Sequence, residues 1–150
     1  MNNPGEKILG DAALAAINAA TAAAVITSAG DAQGVSQGYI DRLDGMVAAT
    51  ISANFVYGSG GDTLKVIVET TVNQGATWIE VARLAFAQAS AEKVINLSAL
   101  TAVGVYSPAA LSDDTVKDGV FGARWRARIL KGAGAVYAGN TSLAVRLNAR

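Results

Sequence analysis

The chain contains no cysteine and no histidine. Those absences exclude disulfides, thiolate nucleophiles, Cys/His zinc sites and every Ser-His or Cys-His catalytic pair. Without histidine, no side chain titrates near neutrality at its ordinary pKa, so acid–base chemistry would require a strongly shifted carboxylate or lysine. Aromatic residues are scarce, at 6%, and only two prolines occur in 150 residues. The longest apolar run, Ala12 to Ile26, is mostly alanine and is interrupted by Asn18 and Thr21, too weak for a membrane span. Glu6 and Asp11 flank the place where a secretory signal needs its apolar segment. The lack of cysteine agrees with folding in a reducing compartment. An ordinary enzyme is not expected, and neither is a cofactor.

What is present is a chain about half apolar, with 16 glycines and alanine at roughly a fifth of all residues. Its length suits one domain with a real core. The net charge is zero, so no global field draws it to nucleic acid or to an anionic membrane. The charge is unevenly spread, however. Residues 1–117 carry six Lys/Arg against eleven Asp/Glu, a net of −5; residues 118–150 carry six against Asp118 alone, a net of +5. A chain polarised in this way can present opposite faces to neighbours, including copies of itself.

The first thirty residues differ from the rest. Asn2-Asn3-Pro4-Gly5 reads as a turn or an unfixed end, and Asp11 could cap an alanine-rich helix over 12–24. Leu14 and Ile17, three apart, would give that helix a thin apolar stripe and are candidate contacts to a neighbouring subunit. Val25–Ser28 reads as a short strand. Residues 1–30 are therefore expected to form an Ala-rich N-terminal arm or short helix, and residues 31–150 a β-domain.

From Met46 the period becomes two. Val47, Ala49, Ile51, Ala53, Phe55 and Tyr57 share one face of a strand ended by Gly58–Asp62. Thr63–Val72 and Trp78–Phe86 form a hairpin across Asn73-Gln74-Gly75-Ala76, and Glu92–Leu97 is a shorter strand. Ser98–Gly119 is a long connection carrying Pro108 and Asp113-Asp114. Strands resume at Ala123–Lys131 and Thr141–Asn148. No internal repeat is visible, and no βα alternation. The fold class expected is all-β: an antiparallel β-sandwich, jelly-roll or Ig-like, with the N-terminal arm attached.

Three groups of residues are candidates for function. Thr71–Trp78 resembles the Asp-box hairpin of sialidases and other β-propellers, with Asn73 where that pattern has aspartate. The Asn73 side chain is expected to accept from backbone amides, Gly75 to permit the tight turn and Trp78 to cover it. The resemblance implies a folding device. Second, Arg124, Arg126 and Arg128 alternate with Trp125, Ala127 and Ile129, setting three guanidinium groups about 7 Å apart in one row. The row is either a solvated face with cross-strand partners such as Glu69 or Glu80, or a contact to another subunit or a capsid. Nucleic acid is disfavoured, since no aromatic is interleaved on that face. Third, Asp113, Asp114 and Asp118 could gather a hard cation, but their spacing matches no EF-hand loop and an acidic surface loop is commoner.

Thr63–Thr70 continuing through Gly75-Ala76-Thr77-Trp78 to Phe86 resembles small β-sandwich virion proteins of tailed bacteriophages. So do Asp118-Gly119 leading to Arg124–Arg128, and the closing Leu143–Leu147. The resemblance covers about residues 43–148 and implies a structural role, foremost a capsid decoration (cement) protein. Its partner would be the major capsid protein, and its own state a homo-oligomer, a trimer or another small cyclic assembly. It would be made in the bacterial host cytoplasm and reside on the capsid surface of the virion. The alternative is a head–tail or tail/fibre-associated module recognising a host surface glycan. A hydrolase using Glu80 or Asp114 is the least expected class.

Overall fold

Alternation of apolar and polar residues builds the structure, a computed structural model describing residues 4–14, 23–28, 37–132 and 136–150. The described residues form eleven strands: β1 (Gly5–Ala13), β2 (Ala23–Val25), β3 (Ala48–Val56), β4 (Ser59–Gly60), β5 (Leu64–Thr71), β6 (Ile79–Phe86), β7 (Ala91–Ser98), β8 (Thr115–Val116), β9 (Arg124–Lys131), β10 (Tyr137–Ala138) and β11 (Ser142–Ala149). One sheet has the order β1-β11-β3-β7 and a second β2-β9-β5-β6-β8; β4 and β10 pair separately. Every pairing is antiparallel. The described residues are therefore nearly all-β, an arrangement consistent with a β-sandwich.

The core lies between the two larger sheets. Ala49, Ile51, Ala53 and Phe55 of β3 and Leu143, Val145 and Leu147 of β11 face Leu64, Val66 and Val68 of β5 and Trp125, Ala127 and Ile129 of β9, all nearly inaccessible. Phe55 gathers Phe86 at 5.6 Å and Tyr137 at 6.3 Å between ring centroids. Burial pushes the Tyr137 phenol above its ordinary pKa, while its hydroxyl donates to the Asp62 carbonyl. The face read from the sequence is buried from Ala49 to Phe55, whereas Val47 at one end is exposed and Tyr57 at the other is half-buried.

The N-terminal segment corrects the expectation of an arm. Gly5–Ala13 is an edge strand paired with β11 along its length, and Leu14 donates its N–H to the Thr141 carbonyl at 3.0 Å. Leu14 is buried in this chain's own core, so it is not an intersubunit contact. The helix expected over 12–24 is not what its described ends form, since Ala12-Ala13 close β1 and Ala23-Ala24 open β2. Ile17 lies outside the described residues. A bulge between Ile8 and Gly10 hid the strand. It shifts the inward phase from Leu9 to Ala12 and Leu14, so no single period-two register runs through the segment. Gly10 is required there, because a Cβ would meet Ile26 Cγ1 at 2.6 Å. Leu9, Leu14 and Ile26 share one core with Ile51 and Trp125, so a division at residue 30 separates no second body among the described residues.

The Ser98–Gly119 connection folds back on β5, β6 and β7. Gly119 donates to the Ser98 carbonyl at 2.9 Å, Asp118 accepts from the Ser98 N–H at 2.9 Å, and β8 pairs with β6. Asp113 pairs with Lys65 at 2.9 Å. Asp114 binds Lys93 at 2.6 Å and the Ala85 N–H at 3.0 Å. The lysine hydrogen bond, then the amide, hold the Asp114 carboxyl below its usual range. The three aspartates are thus committed to separate partners, and among the described residues no group of His, Cys, Asp or Glu gathers to hold a metal ion.

Candidate functional site

The outward face of the β9–β5–β6 sheet carries the arginine row, and register explains what it meets. Opposite Arg126 lies Glu69, and opposite Arg128 lies Ile67. A bulge after Val68 brings Glu80 of β6 opposite Glu69, so two carboxylates sit side by side beneath the guanidinium groups. Arg126 Nε donates to Glu69 at 2.6 Å, and Arg128 Nη2 donates to its other oxygen at 3.0 Å. Glu80 holds Arg83 at 2.8 Å, stands 3.8 Å from Arg128 and accepts from the Leu111 N–H at 2.9 Å. Arg124 reaches Asp41 at 3.5 Å and donates to the Gln74 carbonyl.

Glu69 and Glu80 are 4% and 8% exposed, whereas the three arginines of the row keep about a quarter of their side-chain surface. Burying both carboxylates is tolerated only because each has more than one charged or amide donor. The row is therefore a charge-compensated lattice within one chain. Of the two readings of the arginines, the cross-strand one describes the geometry found, with Glu69 and Glu80 as the partners.

In the hairpin beside it the turn amides are shared between Asn73 and Thr71. Asn73 Oδ1 accepts from the Thr77 N–H at 2.8 Å, and Thr71 Oγ1 accepts from the Gly75 N–H at 2.9 Å. Gly75 takes a φ of 97°, in the left-handed region that its missing Cβ allows. The Trp78 ring lies against Gly75, about 3.8 Å from where a Cβ would stand.

Sequence reasoning missed that this hairpin and the arginine row are one surface. Arg126 stacks over the Trp78 ring at 4.1 Å, Arg124 over Tyr39 at 4.9 Å, and the two rings lie 6.1 Å apart. Trp78 shares its parity with the buried Ala82, Leu84 and Phe86 as well as with Glu80, so only the bulge in the register of β6 against β5 sets it on the outward face, against Arg126. Tyr39 and Asp41 arrive through the bridge of Ile40 to Trp125, for which the sequence holds no signal. A shallow cleft of about 460 Å³ opens beside this stack, lined in part by Asp41, Thr71, Gln74, Phe121 and Arg124.

Trp78 is half-buried. Trp78→Ala is accordingly expected to cost about 2 kcal/mol, from partial loss of buried ring area and of the guanidinium contact. A denaturant melt measures it, and a loss below about 0.5 kcal/mol would mean that the ring contributes no packing.

No protein-family model, curated protein or solved structure matches this chain.

Proposed function

We propose that this chain is a structural phage virion protein, a decoration subunit that binds the assembled capsid shell and stabilises it. The observation that carries this reading is the strand order. Among the eight strands of three or more residues, the sheets run first-eighth-third-sixth and second-seventh-fourth-fifth. That order supports a jelly roll, the architecture shared by viral capsid and lectin domains. Fold alone does not choose between assembly and sugar binding. The surface favours assembly.

Ser98–Ser112 carries no charged residue, and Leu100 and Val105 project from it, 79% and fully exposed. Uncharged apolar surface of this kind marks protein contacts, whereas arginines already paired with buried carboxylates have little to give a partner. The contact assigned to the capsid is therefore this connection. A subunit that binds only the assembled shell stabilises it by mass action. A homo-oligomer of small cyclic symmetry is compatible with the role.

The test is co-sedimentation of the full chain with shells lacking it, from the virus whose genome encodes it. The unaltered protein is expected to sediment with the shells. The Leu100→Asp, Val105→Asp double variant is expected to bind at least about tenfold more weakly with an unchanged melt, both side chains being exposed. Absence of co-sedimentation of the unaltered chain overturns the reading. Reversing Arg126 and Arg128 is the poorer test, because it would set new carboxylates beside Glu69.

A second reading, a tail- or fibre-associated module for a host surface glycan, draws on the cleft beside Tyr39 and Arg124. Against it, the Trp78 ring is stacked by Arg126. Saturable binding on a glycan array that Asp41→Ala removes would favour it.

A further inference from the structure

We infer that two copies of this chain pair along β7, antiparallel, about a two-fold axis at Val94. The inference rests on the assembly reading above and deepens it by naming where one copy meets another.

The two larger sheets end in four edge strands, and three of them are blunted. β1 is bulged at Leu9, carries Glu6, Lys7 and Asp11, and has its Leu9 carbonyl taken by the Thr27 hydroxyl. Among the described residues β2 shows three paired residues and β8 two. Bulges, charges and shortness are the usual protections against pairing with another chain. β7 carries Glu92 and Lys93 near its N-terminal end, but it has eight residues, no proline, no bulge against β3 and no charge from Val94 to Ser98.

Which of its backbone groups are open follows from the register. Ala99 donates to the Val47 carbonyl, in phase with the pairing of β7 with β3. Odd-numbered residues of β7 therefore turn their N–H and C=O towards β3, and even-numbered ones turn theirs outwards. The outward groups of Ser98 are taken by Asp118 and Gly119. Among the described residues no hydrogen bond reaches those of Glu92, Val94 and Asn96. The open window is thus three alternate residues centred on Val94.

A second copy satisfies that window with itself. A two-fold axis at Val94 sets Val94 against Val94 and Glu92 against Asn96, closing the open donors and acceptors reciprocally. Moving the axis by one residue towards the N-terminus would oppose Lys93 to Lys93. Moving it towards the C-terminus would place Glu92 opposite Ser98, whose edge is occupied. The surroundings suit an identical partner. Val94 is 58% exposed, and no charge occurs between Lys93 and Asp113 or between Arg83 and Glu92. The apolar connection of one copy then approaches the uncharged β6–β7 turn of the other, with no like charges opposed.

The absence of native cysteine makes the test specific. Residues opposite each other in a hydrogen-bonded antiparallel pair have Cα atoms about 5.5 Å apart, within disulfide reach. Full-length Val94→Cys is expected to form a covalent dimer under mild oxidation, and Asn148→Cys, outward-facing in mid-sheet, is not. Sedimentation velocity of the unaltered chain is expected to show dimer at about 100 μM, and Val94→Lys to weaken it on the order of tenfold without moving the melt. A chain that stays monomeric at that concentration, or a Val94→Cys dimer yield no greater than that of Asn148→Cys, overturns the inference. Capsid co-sedimentation is read separately. Loss of the dimer with shell binding intact refutes this pairing alone, whereas a dimer that binds no shell refutes the decoration reading alone.

Discussion

Replacing Trp125 with alanine is expected to lower stability by about 3–5 kcal/mol, a large share of what a domain of this size possesses. The ring is 1% exposed and packs edge-on against Phe121 at 5.0 Å between centroids. Its Nε1 donates to the Gly122 carbonyl at 2.9 Å. The backbone of Trp125 exchanges hydrogen bonds with Ile40 at 2.7 and 2.9 Å, which holds the segment bearing Tyr39 and Asp41 on the sheet. Truncation therefore opens a cavity and leaves a buried carbonyl without its donor. Urea melts followed by circular dichroism measure the loss. Trp125→Phe, which keeps most of the ring volume, is expected to cost about 1–2 kcal/mol, largely the unpaired carbonyl. Equal losses in the two variants would show that the missing hydrogen bond, and not the cavity, sets the cost.

Glu69→Gln carries the second large effect, about 3 kcal/mol, the lower end for breaking a buried ion pair. Both Glu69 oxygens serve arginines, and the carboxylate is almost inaccessible. An amide of the same shape leaves Arg126 and Arg128 with one acceptor where there were two, and like-charged groups close together. The effect falls short of the upper end because the guanidinium groups keep about a quarter of their exposure and remain partly hydrated. Chloride at 1 M is expected to narrow the gap between variant and parent, since the uncovered repulsion is screened over about 3 Å. A melt shifted by less than about 0.5 kcal/mol would show that the lattice is solvated and free to engage a partner.

The same lattice shows how far the sequence could be read. Alternation over Ala49–Phe55, Leu64–Val68 and Leu143–Leu147 gave the core faces, because a strand half-buried against one core imprints its period directly on the residues. The turn at Asn73–Gly75 was legible because its hydrogen bonds close within seven residues. Strand β1 was not legible, since its bulge breaks the period and its alanines suit a helix equally well. On β5, Ile67 and Glu69, opposite the core face of Leu64, Val66 and Val68, are buried too, beside Arg126 and Arg128.

The sequence by itself determined the all-β class, the apolar faces of the main strands, the tight hairpin and the absence of histidine and cysteine chemistry. These are local properties, set by side-chain period, turn residues and inventory. Only the tertiary structure decided that the arginines belong to Glu69 and Glu80, that Leu14 is core, that Trp78 and Tyr39 lie against the row, and that β7 is left at an edge. Each of those depends on register or sheet order, which bring together residues tens of positions apart and leave no periodic trace in the chain.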